Sequence, residues 1–134
     1  MTPFALKIVT PDGLKYDAQA EELIVRTTTG DLGILAGHVN CVAALGMGQA
    51  MVLAGGVKRY AACIGGMVSV VGGNVTLVPT TFEWAEDIDV ERARASLERA
   101  EKLLAAPDCD EQTKQYALAR KKRAQVRLSV AGKK

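Results

Sequence analysis

The chain has 134 residues, of which 49% are hydrophobic, and carries a formal net charge of +2. This length suits one globular domain with a small appendage, and the hydrophobic content excludes an intrinsically disordered chain. The charge is unevenly distributed, because residues 1–87 carry five Lys/Arg and eight Asp/Glu (net −3), whereas residues 88–134 carry twelve and seven (net +5). The basic C-terminal part indicates an acidic partner, a phosphate-bearing ligand, nucleic acid or a membrane surface.

Cysteine usage and the N-terminal residues indicate the cellular context. The three cysteines, Cys41, Cys63 and Cys109, are odd in number and form no CxxC pair, which favours a reducing compartment. No basic stretch precedes an apolar one at the N-terminus, so no signal peptide is predicted. Residues 32–57 carry no formal charge apart from a possible charge on His38, but six glycines interrupt them. A buried β region is therefore predicted there rather than a membrane span.

Short apolar runs predict β-strands over the first part of the chain. Phe4, Leu6 and Ile8 recur with the two-residue period of a half-buried strand. Further strands are predicted at 14–18, 22–27, 32–35, 42–45, 49–53, 57–64, 67–71 and 75–78. Glycine-rich turns separate many of these runs at regular intervals, which predicts a sandwich or barrel rather than βαβ units. Residues 80–85 are interpreted as a link to the C-terminal part of the chain.

From Ile88 onward the hydrophobic period becomes helical. A narrow stripe with spacings of three and four residues marks the first helix, formed by Val90, Ala93, Leu97, Ala100 and Leu104. The second helix, residues 111–131, presents a face of Ala117, Ala124 and Leu128, with Leu118 beside it. So narrow an apolar stripe buries little apolar surface when a helix stands alone, and the two helices are therefore predicted to pack against each other as a hairpin.

Polar residues predict the ends of these helices. Asp87 or Asp89 can cap the first helix, because a side-chain carboxylate there accepts from free backbone N–H groups. Pro107 explains the break between the helices. Asp108 followed by Glu111 resembles a capping box, so Asp108 is predicted to cap the second helix.

Residues for catalysis are sparse. His38 is the only histidine and has no patterned nucleophile or metal ligands, so a structural role is favoured over a catalytic one. Residues 46–48 begin a Gly-x-Gly pattern, but Met51 stands where a third glycine would complete a phosphate-binding loop. Cys41 and Cys63 lie in apolar runs, where a thiol tends to stay protonated. An enzyme using His38 or a cysteine is therefore unsupported.

The helical part carries paired arginines. Arg92 and Arg99 are seven residues apart and share a face of the first helix, while Arg123 and Arg127 are four apart and share a face of the second. Four guanidinium groups facing one space could neutralise a polyphosphate. The alternative is a solvated basic face with ion pairs inside each helix. Nucleic-acid binding is disfavoured because no aromatic residues are interleaved for base stacking.

Several segments together resemble the epsilon subunit of bacterial F-type ATP synthase. They are residues 8–13 (IVTPDG), 29–38 (TGDLGILAGH), 65–66 (GG), 86–89 (EDID) and 122–130 (KRAQVRLSV). The resemblance implies an all-β plus α fold. A flattened β-sandwich of about ten strands would occupy residues 1–85, and an antiparallel two-helix hairpin would occupy residues 86–134.

The resemblance also implies a function. A member of this family is a non-catalytic subunit of the central stalk that touches the gamma subunit and the c-subunit ring and reaches the catalytic alpha and beta subunits. It is peripheral, at the cytoplasmic face of the bacterial plasma membrane. It couples ion flow to ATP synthesis, and its C-terminal helices inhibit ATP hydrolysis. The loop around Asp31 would face the ring. The alternative is a free-standing ATP-sensing module with no motor role.

Some bacterial members bind ATP on the folded hairpin through the motif I/L-D-x-x-R-A, which residues 88–93 match completely. Carried over by position, the expected ATP contacts are Glu83, Asp89, Arg92, Arg99, Arg123 and Arg127, with Ile88 and Ala93 lining the adenine. The arginines would meet phosphate charge, and the two carboxylates would accept from adenine or ribose or orient the arginines. ATP is thus expected as a regulatory ligand, and the sequence requires no metal.

Four residues depart from the family pattern or stand out in it. Ala36 and Asn40 occupy positions where the family usually has proline, which changes the loop expected to face the ring. Phe82 and Trp84 in the predicted link are unusual. They are predicted to pack the hairpin onto the sandwich.

Overall fold

The computed structural model describes residues 2–133, which form ten strands followed by two helices. The strands are β1 (Phe4–Thr10), β2 (Gly13–Ala20), β3 (Glu22–Thr27), β4 (Gly30–Ile34), β5 (Cys41–Ala44), β6 (Met47–Ala54), β7 (Val57–Ile64), β8 (Met67–Val71), β9 (Asn74–Val78) and β10 (Thr81–Trp84). One turn of 3-10 helix at Ala85–Asp87 leads to α1 (Val90–Ala105) and α2 (Glu111–Ala131). The predicted fold class, a β-sandwich with a C-terminal two-helix hairpin, is confirmed.

The strands form two five-stranded sheets that enclose one apolar core. One sheet has the order β2-β1-β9-β8-β5 and the other has the order β10-β7-β6-β3-β4. Phe4, Leu6 and Ile8 alternate with more exposed residues along β1, so one face of the strand enters the core. Most neighbouring strands are antiparallel, whereas β1 and β9 run parallel, with Leu6 opposite Val75.

The segment after Pro79 is part of the sandwich and not a link. Residues 81–84 form β10, which pairs antiparallel with β7 and places Phe82 opposite Cys63. The rings of Phe82 and Trp84 meet edge to face, with centroids 4.9 Å apart, and both are buried in the sandwich core. The expectation that these two residues pack the hairpin onto the sandwich is therefore wrong. Their alternating burial in a strand points both rings inward.

One glycine is required by a close approach between two chain segments. Gly66 follows β7 with a φ of 90°, which only glycine adopts readily. A Cβ atom at this position would lie 2.0 Å from the carbonyl oxygen of Val78. The turn between β7 and β8 therefore packs directly on the end of β9, and any side chain at residue 66 would separate them.

A small apolar cluster joins the hairpin to the sandwich. It consists of the buried residues Ala62, Ala85, Ile88, Val130 and Ala131, with Tyr60, Val90 and Val126 packed around it. Residues of β7, the 3-10 turn and the C-terminal end of α2 thus meet in one place. Because the members are few and mostly small, this junction buries much less apolar surface than the sandwich core does.

The centre of the hairpin is a seam of alanines. Ala93 and Ala100 of α1 and Ala117 and Ala124 of α2 are all buried. The leucines predicted for this seam, Leu97, Leu104 and Leu128, are only half-buried. Leu118 is 48% exposed and does not contribute to the packed face. Alanine lets the two backbones approach closely but leaves little apolar area to hold them together.

Aspartates begin both helices. Asp89 caps α1, with its Oδ1 atom 3.1 Å from the backbone nitrogen of Arg92. Asp110, not Asp108, caps α2, because the helix begins only at residue 111 and its N-cap is the residue directly before it. The Oδ1 atom of Asp110 accepts from the backbone nitrogen of Thr113 at 2.7 Å. Hydrogen bonding to Thr113 lowers the pKa of Asp110.

We expect the alanine seam to fail when it is overfilled. In Ala117→Leu, three extra carbon atoms would have to enter a close-packed seam, which costs about 1–3 kcal/mol. Amide hydrogen exchange should then speed up in α1 and α2 while the strands of the sandwich core keep their protection. Leu118→Ala, a change at the exposed neighbouring position, is the control and should have little effect. If the amides of α1 and α2 keep their protection in Ala117→Leu, the close packing of the alanine seam is contradicted.

The three cysteines are expected to differ in reactivity. All three are free thiols; Cys63 is buried in the sandwich core, and Cys41 and Cys109 are half-buried. Burial raises the pKa of Cys63 to about 12. Because the thiolate is the reactive form, a maleimide near neutral pH should label Cys41 and Cys109 while sparing Cys63 until the protein unfolds. Mass spectrometry of the native protein checks this, and native labelling of Cys63 would refute it.

Candidate functional site

A cleft of about 460 Å³ lies between the two helices and reaches the edge of the sandwich. Its walls come from β10, the start of α1 and one face of each helix. The lining residues are Glu83, Asp87, Asp89, Arg92, Ala93, Ser96, Arg99, Tyr116, Arg120, Arg123 and Arg127. Seven of the eight residues expected to contact ATP therefore line one space, and the exception is Ile88.

Helical periodicity explains why these side chains converge. From the N-cap Asp89 to Arg99, the lining residues recur every three or four positions, with Arg92 and Ala93 adjacent. Along α2 they recur at steps of three and four from Tyr116 to Arg127. Residues spaced in this way lie on one face of a helix. The antiparallel hairpin turns the two faces toward the same groove.

The cleft concentrates positive charge. Five arginines and three carboxylates line it, which leaves a formal surplus of two positive charges. Guanidinium groups stay charged at all physiological pH values and bind phosphate oxygens through paired N–H donors. The three carboxylates, Glu83, Asp87 and Asp89, all lie at the sandwich end, where β10 and the start of α1 meet. The end near the loop between the helices is lined by cations and neutral groups only.

One arginine is already paired with an acid. The Nε atom of Arg127 donates to the Oε1 atom of Glu83, which joins α2 to β10, and both side chains are about two-thirds buried. In contrast, the side chains of Arg92, Arg99 and Arg123 make no ion pair or hydrogen bond with any part of the chain that the structure describes. These three charges remain available to an anionic ligand.

A fifth arginine, with two hydroxyl partners, was missed by the sequence reasoning. The Nε atom of Arg120 lies 3.0 Å from the Oγ atom of Ser96 on the facing helix, and one terminal nitrogen lies 3.0 Å from the hydroxyl oxygen of Tyr116. Arg120 is seven residues before Arg127, the same spacing that separates Arg92 from Arg99. This spacing was the signal that could have identified it.

The structure does not bring Ile88 to the cleft. Ile88 is 5% exposed and packs in the junction cluster with Ala85 and Val130, because its position before α1 turns it back toward the sandwich. Ala93 does line the cleft, although it is also part of the alanine seam. Of the two residues expected to line the adenine, the cleft therefore keeps only Ala93.

A second, wider crevice of about 950 Å³ lies between α2 and the strands β3, β4 and β6. Its charged lining groups are Arg26, Asp31 and Lys122. The Nε atom of Arg26 is 3.2 Å from the Oδ1 atom of Asp31, so these two charges compensate each other. Because it gathers no comparable charge, the crevice is a weaker candidate than the arginine-lined cleft despite its volume.

His38, the only histidine of the chain, lies outside both clefts. The Nδ1 atom of His38 lies 2.8 Å from the carbonyl oxygen of Val39 and 3.9 Å from the Sγ atom of Cys41. Between residues 2 and 133, no three His, Cys, Asp or Glu side chains are grouped as metal ligands would be. Neither α1 nor α2, nor any other helix in that range, has the length and apolar character of a membrane span.

Two family models together cover almost the whole chain. Residues 3–85 match the beta-sandwich domain of the ATP synthase delta/epsilon chain. Residues 86–132 match the long alpha-helix domain of the same chain.

Individual relatives and solved structures agree with these matches. The chain is 41% identical to the ATP synthase epsilon chain of Bacillus pumilus, over 99% of this chain and 100% of that one. It is 39% identical to the epsilon chain of Ruminococcus albus over the full length of both. A chain in the structure of the Euglena gracilis mitochondrial ATP synthase (OSCP/F1/c-ring) superposes with a TM-score of 0.83 and 25% identity, covering 98% of this chain and 82% of that chain.

A chain from the central stalk and c-ring of the Tetrahymena thermophila mitochondrial ATP synthase is similar in fold. Its TM-score is 0.64 at 17% identity, with 95% of each chain covered. The family models and the full-length relatives confirm the resemblance carried by the sequence segments, and the chain belongs to the delta/epsilon chain family of ATP synthase.

Proposed function

We propose that this chain serves as the epsilon subunit in the central stalk of a rotary F-type ATP synthase. Full-length similarity to chains named ATP synthase epsilon chain supports this role, as does the Euglena chain from an F1/c-ring assembly. The partners are then the gamma subunit, the c-subunit ring and the alpha and beta subunits. The subunit itself is non-catalytic and couples ion flow to ATP synthesis at the cytoplasmic face of a bacterial plasma membrane, where it is peripheral.

In this proposal the sandwich is the rigid part that transmits force between the ring and the stalk. The segment expected to face the ring includes Asp31 of β4, which is exposed and paired with Arg26 of β3. In the connection between β4 and β5, Asn40 stands where the family usually has proline, and its side-chain oxygen accepts from the backbone nitrogen of Gly72 at 2.9 Å. This hydrogen bond ties that connection to the β8–β9 turn.

The proposed regulatory ligand is ATP, bound in the cleft of the folded hairpin. The observation that supports it most is the set of three arginines, Arg92, Arg99 and Arg123, which face one groove from two helices and form no ion pair within residues 2–133. A triphosphate supplies the missing negative charge. Glu83 holds Arg127 in place, and Asp89 uses Oδ1 to cap α1, so its second oxygen remains for the ribose or base.

The hairpin is proposed to act as a brake on ATP hydrolysis. An alanine seam and a small junction cluster hold it to the sandwich, so a modest free energy can shift the population between a docked and a released hairpin. A ligand that binds only the docked form, through both helices and Glu83, stabilises that form by a free energy that rises with the logarithm of its concentration divided by its Kd. A released hairpin presents its basic face to the acidic partner expected on the catalytic subunits.

We expect ATP binding to depend on the unpaired arginines. In isothermal titration calorimetry, Arg92→Ala/Arg123→Ala should lose at least about a hundredfold in ATP affinity, since a hydrogen bond to a charged group contributes about 1.5–3 kcal/mol. The control Arg94→Ala/Lys114→Ala makes the same change in net charge at exposed positions outside the cleft and should bind ATP like the unaltered protein. Equal heats for all three proteins would rule out the arginine site.

Deletion of the hairpin tests the brake. A chain truncated after Asp87 keeps every residue of the sandwich core. In the assembled ATP synthase, we expect the truncated chain to support coupled ATP synthesis while ATP hydrolysis becomes faster than with the full-length chain. An unaltered hydrolysis rate would contradict inhibition by the helices. Failure of the full-length chain to copurify with gamma, alpha and beta subunits would instead favour the free-standing ATP-sensing module.

A further inference from the structure

Arg120 has a defined orientation inside the cleft. Its guanidinium bridges the two helices, because Ser96 belongs to α1 whereas Tyr116 lies one turn earlier on α2. The guanidinium carbon also lies 6.0 Å from the centre of the Tyr116 ring, at the outer limit of a cation–π contact. Two directed hydrogen bonds therefore hold a side chain that would otherwise sample many rotamers.

The charge of Arg120 is not compensated. Both of its partners are neutral hydroxyl groups, and the ion pairs found among residues 2–133 join Arg26 to Asp31, Arg59 to Glu86 and Arg127 to Glu83. A guanidinium has five N–H donors, of which two are used here, so three remain for a ligand. Because the group is already ordered, it loses little conformational entropy when it binds an anion.

The position of Arg120 along the groove is fixed by its bond to Ser96. At 1.5 Å per residue, it lies roughly 10 Å from Arg127 along α2, toward the loop between the helices. The three carboxylates lie at the opposite, sandwich end of the cleft. From this charge gradient we expect a nucleotide to enter in one orientation, with its ribose and base near Asp89 and its phosphates toward Arg120.

We propose that Arg120 contacts the outermost phosphate of the bound nucleotide and thereby makes the cleft select triphosphates over diphosphates and monophosphates. Ser96 and Tyr116 are positioning residues that aim its guanidinium. This inference rests on the proposed nucleotide site and extends it to a residue outside the I/L-D-x-x-R-A motif. It assigns the selectivity for phosphate number to a bridge between the helices, so a triphosphate joins α1 to α2 more firmly than a diphosphate does.

The test is calorimetric titration of the full chain with ATP, ADP and AMP. For Arg120→Gln, we expect ATP affinity to fall about tenfold, which corresponds to about 1.4 kcal/mol, while ADP affinity changes by less than about twofold. Ser96→Ala and Tyr116→Phe should weaken ATP in the same selective way but by less. Arg120→Lys, which keeps the charge but not the planar fork, should recover part of the preference. Arg94→Gln, an exposed arginine outside the cleft, is the matched control and should change neither affinity.

The outcomes separate this inference from the proposed site. Equal losses for ATP and ADP in Arg120→Gln would overturn the assignment to the outermost phosphate. Unchanged affinities in Arg120→Gln, together with lost binding in Arg123→Ala, would overturn the role of Arg120 while leaving the nucleotide site in place. No binding of ATP to the unaltered chain would overturn both. A thermal unfolding curve of Arg120→Gln that matches the unaltered chain excludes misfolding as the cause of a selective loss.

Discussion

The contact between Arg127 and Glu83 is the interaction on which the arrangement of the helical part depends. It joins α2 to β10 across 44 residues of sequence and sets where the hairpin lies on the sandwich. Partly exposed ion pairs contribute little stability by themselves, so the apolar cluster around Ile88 and Val130 supplies more of the docking energy. The ion pair between Arg127 and Glu83 instead sets the position of α2 relative to β10. It neutralises one arginine at the sandwich end and leaves the charges further along the groove without partners.

The alanine seam brings those unpaired charges close to one another. Alanines bring the backbones of α1 and α2 close together, so the arginines on both helices share one narrow cleft. Mutual repulsion between the guanidinium groups then opposes the packing that creates the cleft. We therefore expect the folded hairpin to be only weakly stable without an anion. In the proposed site, an anionic ligand would remove the repulsion and add contacts to both helices at once.

Much of this architecture could be predicted from periodicity, but the failures had physical causes. The four residues of β10 are too few to establish a strand period. Phe82 and Trp84 were therefore interpreted as a contact between the hairpin and the sandwich, whereas pairing of β10 with β7 turns both rings into the sandwich core. Asp108 matched a capping pattern, yet the turn after Pro107 extends two residues further and gives the role to Asp110. For β10 the deciding information was pairing with a distant segment, which local sequence does not contain, whereas for the cap it was the residue at which the helix begins.

At the candidate site too, the sequence alone does not determine which basic residues of α2 enter the cleft. The run Arg120-Lys121-Lys122-Arg123 is basic at every position, and only the packing register of α2 on α1 decides which side chains enter the groove. That register follows from residues of the seam, such as Ala117 and Ala124, whose burial the sequence did predict. A spacing rule anchored on Arg127 would have selected both Arg120 and Arg123 and rejected the two lysines between them. The resemblance supplied Arg123 and Arg127 by position, but it did not supply Arg120.

The boundary between the rigid and movable parts of the chain follows from one further cluster. Arg59 of β7 stacks on Trp84 at 3.7 Å and bonds Glu86 at 2.9 Å, so the 3-10 turn is held against the sandwich. The next residues, Ile88 and Asp89, are extended and lie between this anchored turn and the start of α1. In the proposed release of the hairpin, we therefore expect the pivot to lie at Ile88 and Asp89. Because Ile88 belongs to the junction cluster and Asp89 lines the cleft, the pivot is in direct contact with both features that hold the hairpin closed.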